Sequence, residues 1–141
     1  MKNLRWMFLL FAPAFALAAD PLPADDVVLK AMVDELDRSV KDLVLPNLPK
    51  PYLIQLSAQE RRLYNLAAAY GGLQRSSESR NRAMGARIRV GSYTLDNTNF
   101  RRAFGSAVAL PLDNDYTALR QSMWLLLDQD YKQAVETLAQ K

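Results

Sequence analysis

The side chains best suited to bind a ligand are arginines in the middle of the chain. Nine arginines lie between residues 61 and 102, together with only two acidic residues. Arg87 and Arg89 share one face of a predicted strand, and Arg82 lies close to them in the sequence. Because a row of guanidinium groups can bind phosphate or carboxylate, these three arginines are candidates for an anion-binding or partner-binding site. The alternative is that they pair with acidic side chains of the flanking helices or face water.

Two residue types on which many enzymes depend are missing from the sequence. It contains no histidine and no cysteine, which excludes Ser-His and Cys-His nucleophile systems and zinc sites built from the usual nitrogen and sulfur ligands. Two carboxylate pairs remain, Asp113 with Asp115 and Asp128 with Asp130, and either pair could hold a metal or transfer protons. The simpler interpretation is helix capping for the first pair and a solvated helix face for the second. We therefore predict no catalytic residue, no metal site and no cofactor in this chain.

The first 18 residues have the pattern of a secretory signal peptide. Lys2 and Arg5 precede an apolar run from Trp6 to Phe15, and Ala16–Ala18 is a small-x-small cleavage signal. The alternative is an uncleaved membrane anchor, but the apolar run is shorter than the roughly 20 residues that a spanning helix needs. We therefore predict a signal peptide at residues 1–18, a secreted or periplasmic location, and no stable membrane span after cleavage.

Residues 19–141 are predicted to form a single small domain without disulfides. Removing the signal peptide lowers the net charge from +3 to +1, so charge gives little support for nucleic-acid binding. Aromatic residues do not alternate with the arginines, as a platform for single-stranded nucleic acid would require. We therefore expect no nucleic-acid partner.

An amphipathic helix is predicted near each end of this domain. The first begins at residues 25–26, carries apolar residues at three- and four-residue spacing, and ends before a proline-rich connection. Glu35 is predicted on its solvated face. The last helix begins after residues 113–115, which supply candidate N-caps. Trp124 and Tyr131 of this helix are candidate interface residues, although their helical spacing is explained more simply by core packing.

Three strands are predicted between the helices. The clearest has apolar residues at every second position, namely Met84, Ala86, Ile88 and Val90. Earlier strands are predicted at residues 52–56 and 63–76, with turns at 58–62 and 76–80 and a bulge at Gly71-Gly72. Residues 94–112 show no period and are predicted to form a surface loop. This order indicates an α+β fold with an antiparallel meander.

Several short blocks of the chain resemble the N-terminal domain of the TldD/PmbA metalloprotease family, also called modulators of DNA gyrase. The blocks are MVDELDRS (32–39), KPYLI (50–54), AYGGL (69–73), ARIRVGSYTLDN (86–97) and LPLDNDYTALR (110–120). They are most similar to the large secreted branch of that family. The resemblance implies a curved antiparallel sheet of about three or four strands packed with an N-terminal and a C-terminal helix.

The same resemblance implies a function that this chain lacks the residues to perform alone. The zinc site of the family is an HExxxH helix with a further ligand, in the later part of much longer chains, and no such segment occurs here. We therefore expect a truncated or split, non-catalytic N-terminal module of a secreted zinc metallopeptidase. Its partner would be the absent catalytic domain, which alone would hold zinc, or a family homologue. The alternative is a free-standing periplasmic interaction domain that binds an anionic partner through its arginine-rich strand face.

Overall fold

The computed structural model describes residues 25–99 and 106–141. The predicted signal peptide, residues 1–18, lies outside this part of the chain. In chain order the elements are α1 (Val27–Asp42), β1 (Pro51–Ala69), β2 (Gly72–Val90), β3 (Ala107–Ala109) and α2 (Tyr116–Ala139). The strands form one antiparallel sheet in the order β1-β2-β3. The predicted α+β class, an antiparallel sheet packed with an N-terminal and a C-terminal helix, is confirmed.

Each helix begins at an aspartate whose side chain caps it. The Asp26 carboxylate accepts hydrogen bonds from the backbone N–H groups of Val28 and Leu29. The Asp115 carboxylate accepts one from the backbone N–H of Ala118. Because the first N–H groups of a helix have no partner within it, these side chains fix where α1 and α2 begin.

β1 and β2 form one long hairpin, whereas the sequence predicts three separate strands over the same residues. Each strand has 19 residues, and residues 58–62 pair with the opposite strand, as do residues 76–80. The prediction of turns at residues 58–62 and 76–80 is therefore wrong. These residues are polar because this part of the hairpin is exposed on both faces. The predicted bulge at Gly71-Gly72 is also wrong. The chain reverses there, and Tyr70 and Gly71 both have the positive φ angles that a two-residue hairpin turn requires.

The core lies at the end of the hairpin where the helices cover it. The alternating apolar residues of β2 are all buried, as predicted, and they are Met84, Ala86, Ile88 and Val90. They pack mainly against α2, whose buried apolar residues are Leu119, Met123, Leu126, Leu127, Tyr131 and Ala134. The short strand β3 pairs with residues 83–85 of β2. It lies within residues 94–112, where the sequence predicts only a loop.

Candidate functional site

The arginines of the hairpin divide between its two sides, because successive residues of a strand face opposite ways. Arg62, Arg80 and Arg82 lie on the side that carries the helices, together with Glu60 and Glu78. Each of these arginines forms an ion pair across the hairpin: Arg62 pairs with Glu78, and the other two pair with Glu60. Hydrogen bonds from Arg80 and Arg82 lower the pKa of Glu60, and the one from Arg62 lowers that of Glu78.

Arg82 fastens the middle of the hairpin to the rest of the domain. Its side chain is 5% exposed and its guanidinium donates to the Glu60 carboxylate at 2.7 and 2.8 Å. The same group donates to the carbonyl oxygen of Pro111 at 2.9 Å and to the side-chain oxygen of Asn114 at 3.0 Å. The Arg82 carbonyl accepts a hydrogen bond from Leu110. These contacts occupy the guanidinium within the chain, so Arg82 fastens the segment before α2 to the sheet.

The opposite side of the hairpin, here called the outer side, carries Arg61, Arg75, Arg87 and Arg89. No Asp or Glu of β1 or β2 lies on this side. Arg61, Arg75 and Arg87 are exposed, and none of them forms an ion pair with another described residue. The structure therefore brings Arg87 and Arg89 together on one face, as their spacing predicts, and places Arg82 on the other face.

Arg89 belongs to a cluster that closes the turn after β2. The Asp96 carboxylate lies 3.8 Å from Arg89, accepts a 2.5 Å hydrogen bond from the Tyr52 hydroxyl, and accepts two more from the backbone and side chain of Thr98. The hydrogen bonds from Thr98 and Tyr52 lower the pKa of Asp96 to about 2. The cluster thus ties β1 to the residues that follow β2, which leaves Arg89 less available to a ligand than Arg87.

Beyond Arg82 the hairpin projects past the helices as an arm, defined here as residues 61–81. Every residue of this hairpin arm is exposed except Ala69, which is half-buried. At about 3.3 Å per residue the arm extends roughly 30 Å. Its large apolar and aromatic side chains are between 49% and 105% exposed, and they are Leu63, Tyr64, Leu66, Tyr70 and Leu73. Within the described residues, nothing pairs with either edge of the arm.

At the tip of the hairpin arm, Tyr70 occupies a position with left-handed backbone geometry. Tyr70 has φ 52° and is 105% exposed. The left-handed region costs energy for a bulky residue, and Asn, Asp or Gly is preferred in such turns. No hydrogen bond or core contact within the described residues explains a tyrosine here. Strained residues of this kind cluster at functional sites, so the tip is a candidate contact point.

A second candidate feature is a cleft between α1 and α2, which the sequence does not reveal. The predicted solvated residue Glu35 is only 1% exposed, because it faces α2 and not water. Its two carboxylate oxygens accept hydrogen bonds from Arg38 on α1 and Arg120 on α2. These arginines, Tyr116 and Trp124 are among the residues that line an open cleft of about 410 Å³.

The two predicted interface residues of α2 have different environments. Trp124 is 44% exposed at the rim of this cleft, where it is accessible to a ligand. Tyr131 is 1% exposed, and its hydroxyl donates to the Pro49 carbonyl at 3.0 Å and accepts from the Leu45 N–H at 3.3 Å. The interface assignment of Tyr131 is therefore corrected to a core position that holds the connection between α1 and β1.

The two predicted carboxylate pairs do not form a joint site. Asp115 caps α2, and Asp128 pairs with Lys132 at 2.6 Å. The sequence predicts Asp130 on the solvated face with Asp128, but Asp130 is 6% exposed. Neither of its carboxylate oxygens forms a hydrogen bond with the described residues. Burial raises the pKa of Asp130, and the neighbouring Ser106 offsets only part of that rise.

In residues 25–99 and 106–141, no three His, Cys, Asp or Glu side chains are grouped so that they could hold a metal ion. Neither helix in this part of the chain has the length and hydropathy that crossing a membrane requires. Comparison with protein-family models, with curated proteins and with solved structures finds no match to this chain.

Proposed function

We propose that this chain is a non-catalytic interaction module that docks on a partner protein through the hairpin arm. The observation that carries the proposal is the exposure of five large apolar and aromatic side chains along an arm that nothing else in the described residues covers. Two-stranded hairpins are marginally stable alone, and exposed apolar patches mark contact sites. A partner that covers the arm would bury these side chains and extend the sheet at its free edges.

The partner that the sequence favours is the catalytic domain of a secreted TldD/PmbA-like zinc metallopeptidase. In this proposal the chain is a truncated or split N-terminal module of such an enzyme, and zinc belongs to the catalytic domain alone. The support is the order of the resembling blocks along residues 32–120 and the packing of both helices on an antiparallel sheet. The second partner to test is a full-length homologue from the same family.

The genetic part of the proposal has a direct test. The DNA downstream of the codon for Lys141 is translated in all three forward frames. A segment with HExxxH on a predicted helix is the expected result. If no such segment follows, the split-gene version is rejected, and a full-length family homologue becomes the binding partner to test.

The docking surface is tested with a substitution that favours the turn. Because Asn is preferred over Tyr in the left-handed region, Tyr70→Asn should preserve or strengthen the hairpin arm. Binding to the HExxxH-containing polypeptide, or to the homologue, is measured by isothermal titration calorimetry. We expect Tyr70→Asn to weaken binding about tenfold or more, as loss of an aromatic anchor does.

A matched control separates docking from a general effect of losing an aromatic side chain. Tyr93 is 93% exposed but lies in the turn after β2 and not on the arm. Tyr93→Asn should therefore leave binding unchanged. Equal affinities for Tyr70→Asn and the parent chain, or equal losses for both variants, would reject the arm as the docking surface.

A second candidate function is supported by the outer side of the hairpin. Three exposed arginines without ion pairs to described residues, and no carboxylate on that side of either strand, form a positive surface suited to an anionic partner. Poly-L-glutamate is a suitable probe. We expect its binding to weaken with added salt and to be lost when Arg61, Arg75 and Arg87 are all replaced by Gln. Arg62→Gln, on the opposite side, is the control, and equal binding by both variants would reject this candidate.

A further inference from the structure

In the cleft between α1 and α2 two arginines share one buried carboxylate, while nearby Asp34 pairs with Lys30 and accepts a hydrogen bond from Tyr116. Arg38 donates through Nε and Nη2 to one oxygen of Glu35, at 2.8 and 2.5 Å. Arg120 donates through Nε and Nη2 to the other oxygen, at 3.2 and 3.0 Å. A single buried carboxylate therefore holds two guanidinium groups, and one arginine would be enough to balance its charge.

Both guanidinium groups keep donors that Glu35 does not use. Arg38 Nη1 makes no hydrogen bond within the described residues, and Arg120 Nη1 has only a 3.5 Å contact with the Tyr116 hydroxyl. Their side chains are 27% and 32% exposed, and both line the cleft. Because Glu35 fixes both groups in place, little conformational entropy is lost when they bind an anion.

The cleft also presents an apolar side chain from α2, the helix that carries Arg120. Trp124 is 44% exposed and lines the cleft together with Thr117 and Gln121 of α2. Because the cleft of about 410 Å³ is open to solvent, a ligand bound there would remain partly exposed. An exposed indole beside oriented guanidinium donors matches a ligand that has a carboxylate at one end and an aromatic or aliphatic body at the other.

We propose that this cleft binds an organic carboxylate, with Arg38 and Arg120 holding the carboxylate and Trp124 contacting the apolar body. Such a ligand is either a free acid or the C-terminal residue of a peptide, since both present the same chemistry. The site is separate from the hairpin arm and from the outer arginines. The inference therefore does not depend on the proposed docking function.

The test uses Trp124 as its own reporter. The chain contains two tryptophans, so the full-length chain with Trp6→Phe emits from Trp124 alone. Fluorescence is titrated with 3-phenylpropionate and, as an uncharged match, with 3-phenylpropanamide. We expect saturable binding of the acid with a Kd on the order of 1 mM, and binding of the amide at least tenfold weaker. Equal responses to acid and amide would overturn the proposal without the need for any variant in the cleft.

Two further comparisons test whether Arg38 binds the carboxylate and whether the carboxylate belongs to a free acid or to a peptide. Arg38→Gln leaves Arg120 to pair with Glu35 and should weaken acid binding about tenfold or more, whereas Arg87→Gln, on the outer side of the hairpin, should not change it. Unchanged binding by Arg38→Gln would also overturn the proposal. The last comparison uses a peptide that ends in Phe, once with a free C-terminal carboxylate and once amidated. If the free form alone binds more tightly than 3-phenylpropionate, the ligand is the C-terminus of a peptide.

Discussion

Tyr131→Phe isolates the contribution of one buried hydroxyl to the joint between α2 and the segment before β1. The hydroxyl forms two hydrogen bonds, one to the Pro49 carbonyl and one from the Leu45 N–H. Phe preserves the ring, which is 1% exposed and packs in the core, so the substitution creates no cavity the size of a ring. The change therefore measures the loss of the two hydrogen bonds.

The expected magnitude follows from the surroundings of the two partners. A hydrogen bond contributes about 1 kcal/mol net, and leaving a buried partner unsatisfied costs about 1–3 kcal/mol. Because Leu45 and Pro49 are themselves exposed, water can reach their backbone groups once the hydroxyl is gone. We therefore expect the free energy of unfolding to fall by about 1–2 kcal/mol, which for a domain of this size lowers Tm by roughly 4–10 °C.

The loss in the free energy of unfolding is measured by urea unfolding, followed by the circular dichroism signal of the helices. The midpoint should fall while the slope m stays constant, because the native fold is unaltered. Tyr70→Phe is the matched control, since Tyr70 is fully exposed and its hydroxyl forms no hydrogen bond with the described residues. If Tyr131→Phe is as stable as Tyr70→Phe, the hydroxyl does not fasten this joint and the reasoning fails.

The remaining predictions concern two aspartates and two glycines. Hydrogen bonds from Thr98 and Tyr52 lower the pKa of Asp96 from its ordinary value of 3.8 to about 2. The ionised carboxylate therefore stabilises the fold above pH 3.8, and this stability is lost as the pH falls toward 2. Asp96→Asn should therefore lower the free energy of unfolding at neutral pH by on the order of 1–2 kcal/mol. Burial raises the pKa of Asp130, so the protonated form is the favoured one and stability is lost as the pH rises above 3.8. Asp130→Asn should raise the free energy of unfolding at neutral pH and remove the loss of stability above pH 3.8. Urea unfolding as a function of pH checks both variants. A change of the same sign in the free energy of unfolding of Asp96→Asn and Asp130→Asn at neutral pH would contradict these two predictions. Gly91→Ala should cost about 1–3 kcal/mol, because φ is +105° and the new Cβ would lie 2.4 Å from the Leu95 carbonyl oxygen. Gly72→Ala, with no atom closer than 3.9 Å, is its control in thermal unfolding, and equal Tm values would refute the strain argument.

The parts of the fold that the sequence predicts are those where one face is buried and the other is wet. Residues 84–90 alternate because one side of β2 packs on the helices, and α2 repeats at helical spacing for the same reason. The hairpin arm is exposed on both faces, so its sequence has no hydrophobic period that could distinguish a strand from a turn. The polar stretches at 58–62 and 76–80 therefore predict turns, although these residues belong to continuous strands.

Burial of charged side chains on the helices depends on partners that are distant in the sequence. Glu35 follows Asp34 and lies two residues before Asp37 on α1, and this acidic setting alone indicates a solvated position. Its burial results from Arg120, 85 residues later, which supplies the charge that makes an enclosed carboxylate tolerable. Arg82 is a partial exception, because it lies on the same parity as the apolar residues of β2. That parity separates it from Arg87 and Arg89 and could have been used to predict its different role.

The structure separates what stabilises this chain from what it presents to a partner. The core and the helix caps lie on one side of the Glu60–Arg82 pair, and the hairpin arm lies on the other. Substitutions at the tip of the arm should therefore change binding with little effect on the core, since additivity holds for sites without shared contacts. Arg82 lies where the two parts meet, because its guanidinium joins Glu60, next to the arm, to the segment before α2. Its replacement would disturb stability and arm orientation together, which makes Tyr70 the better position at which to test docking.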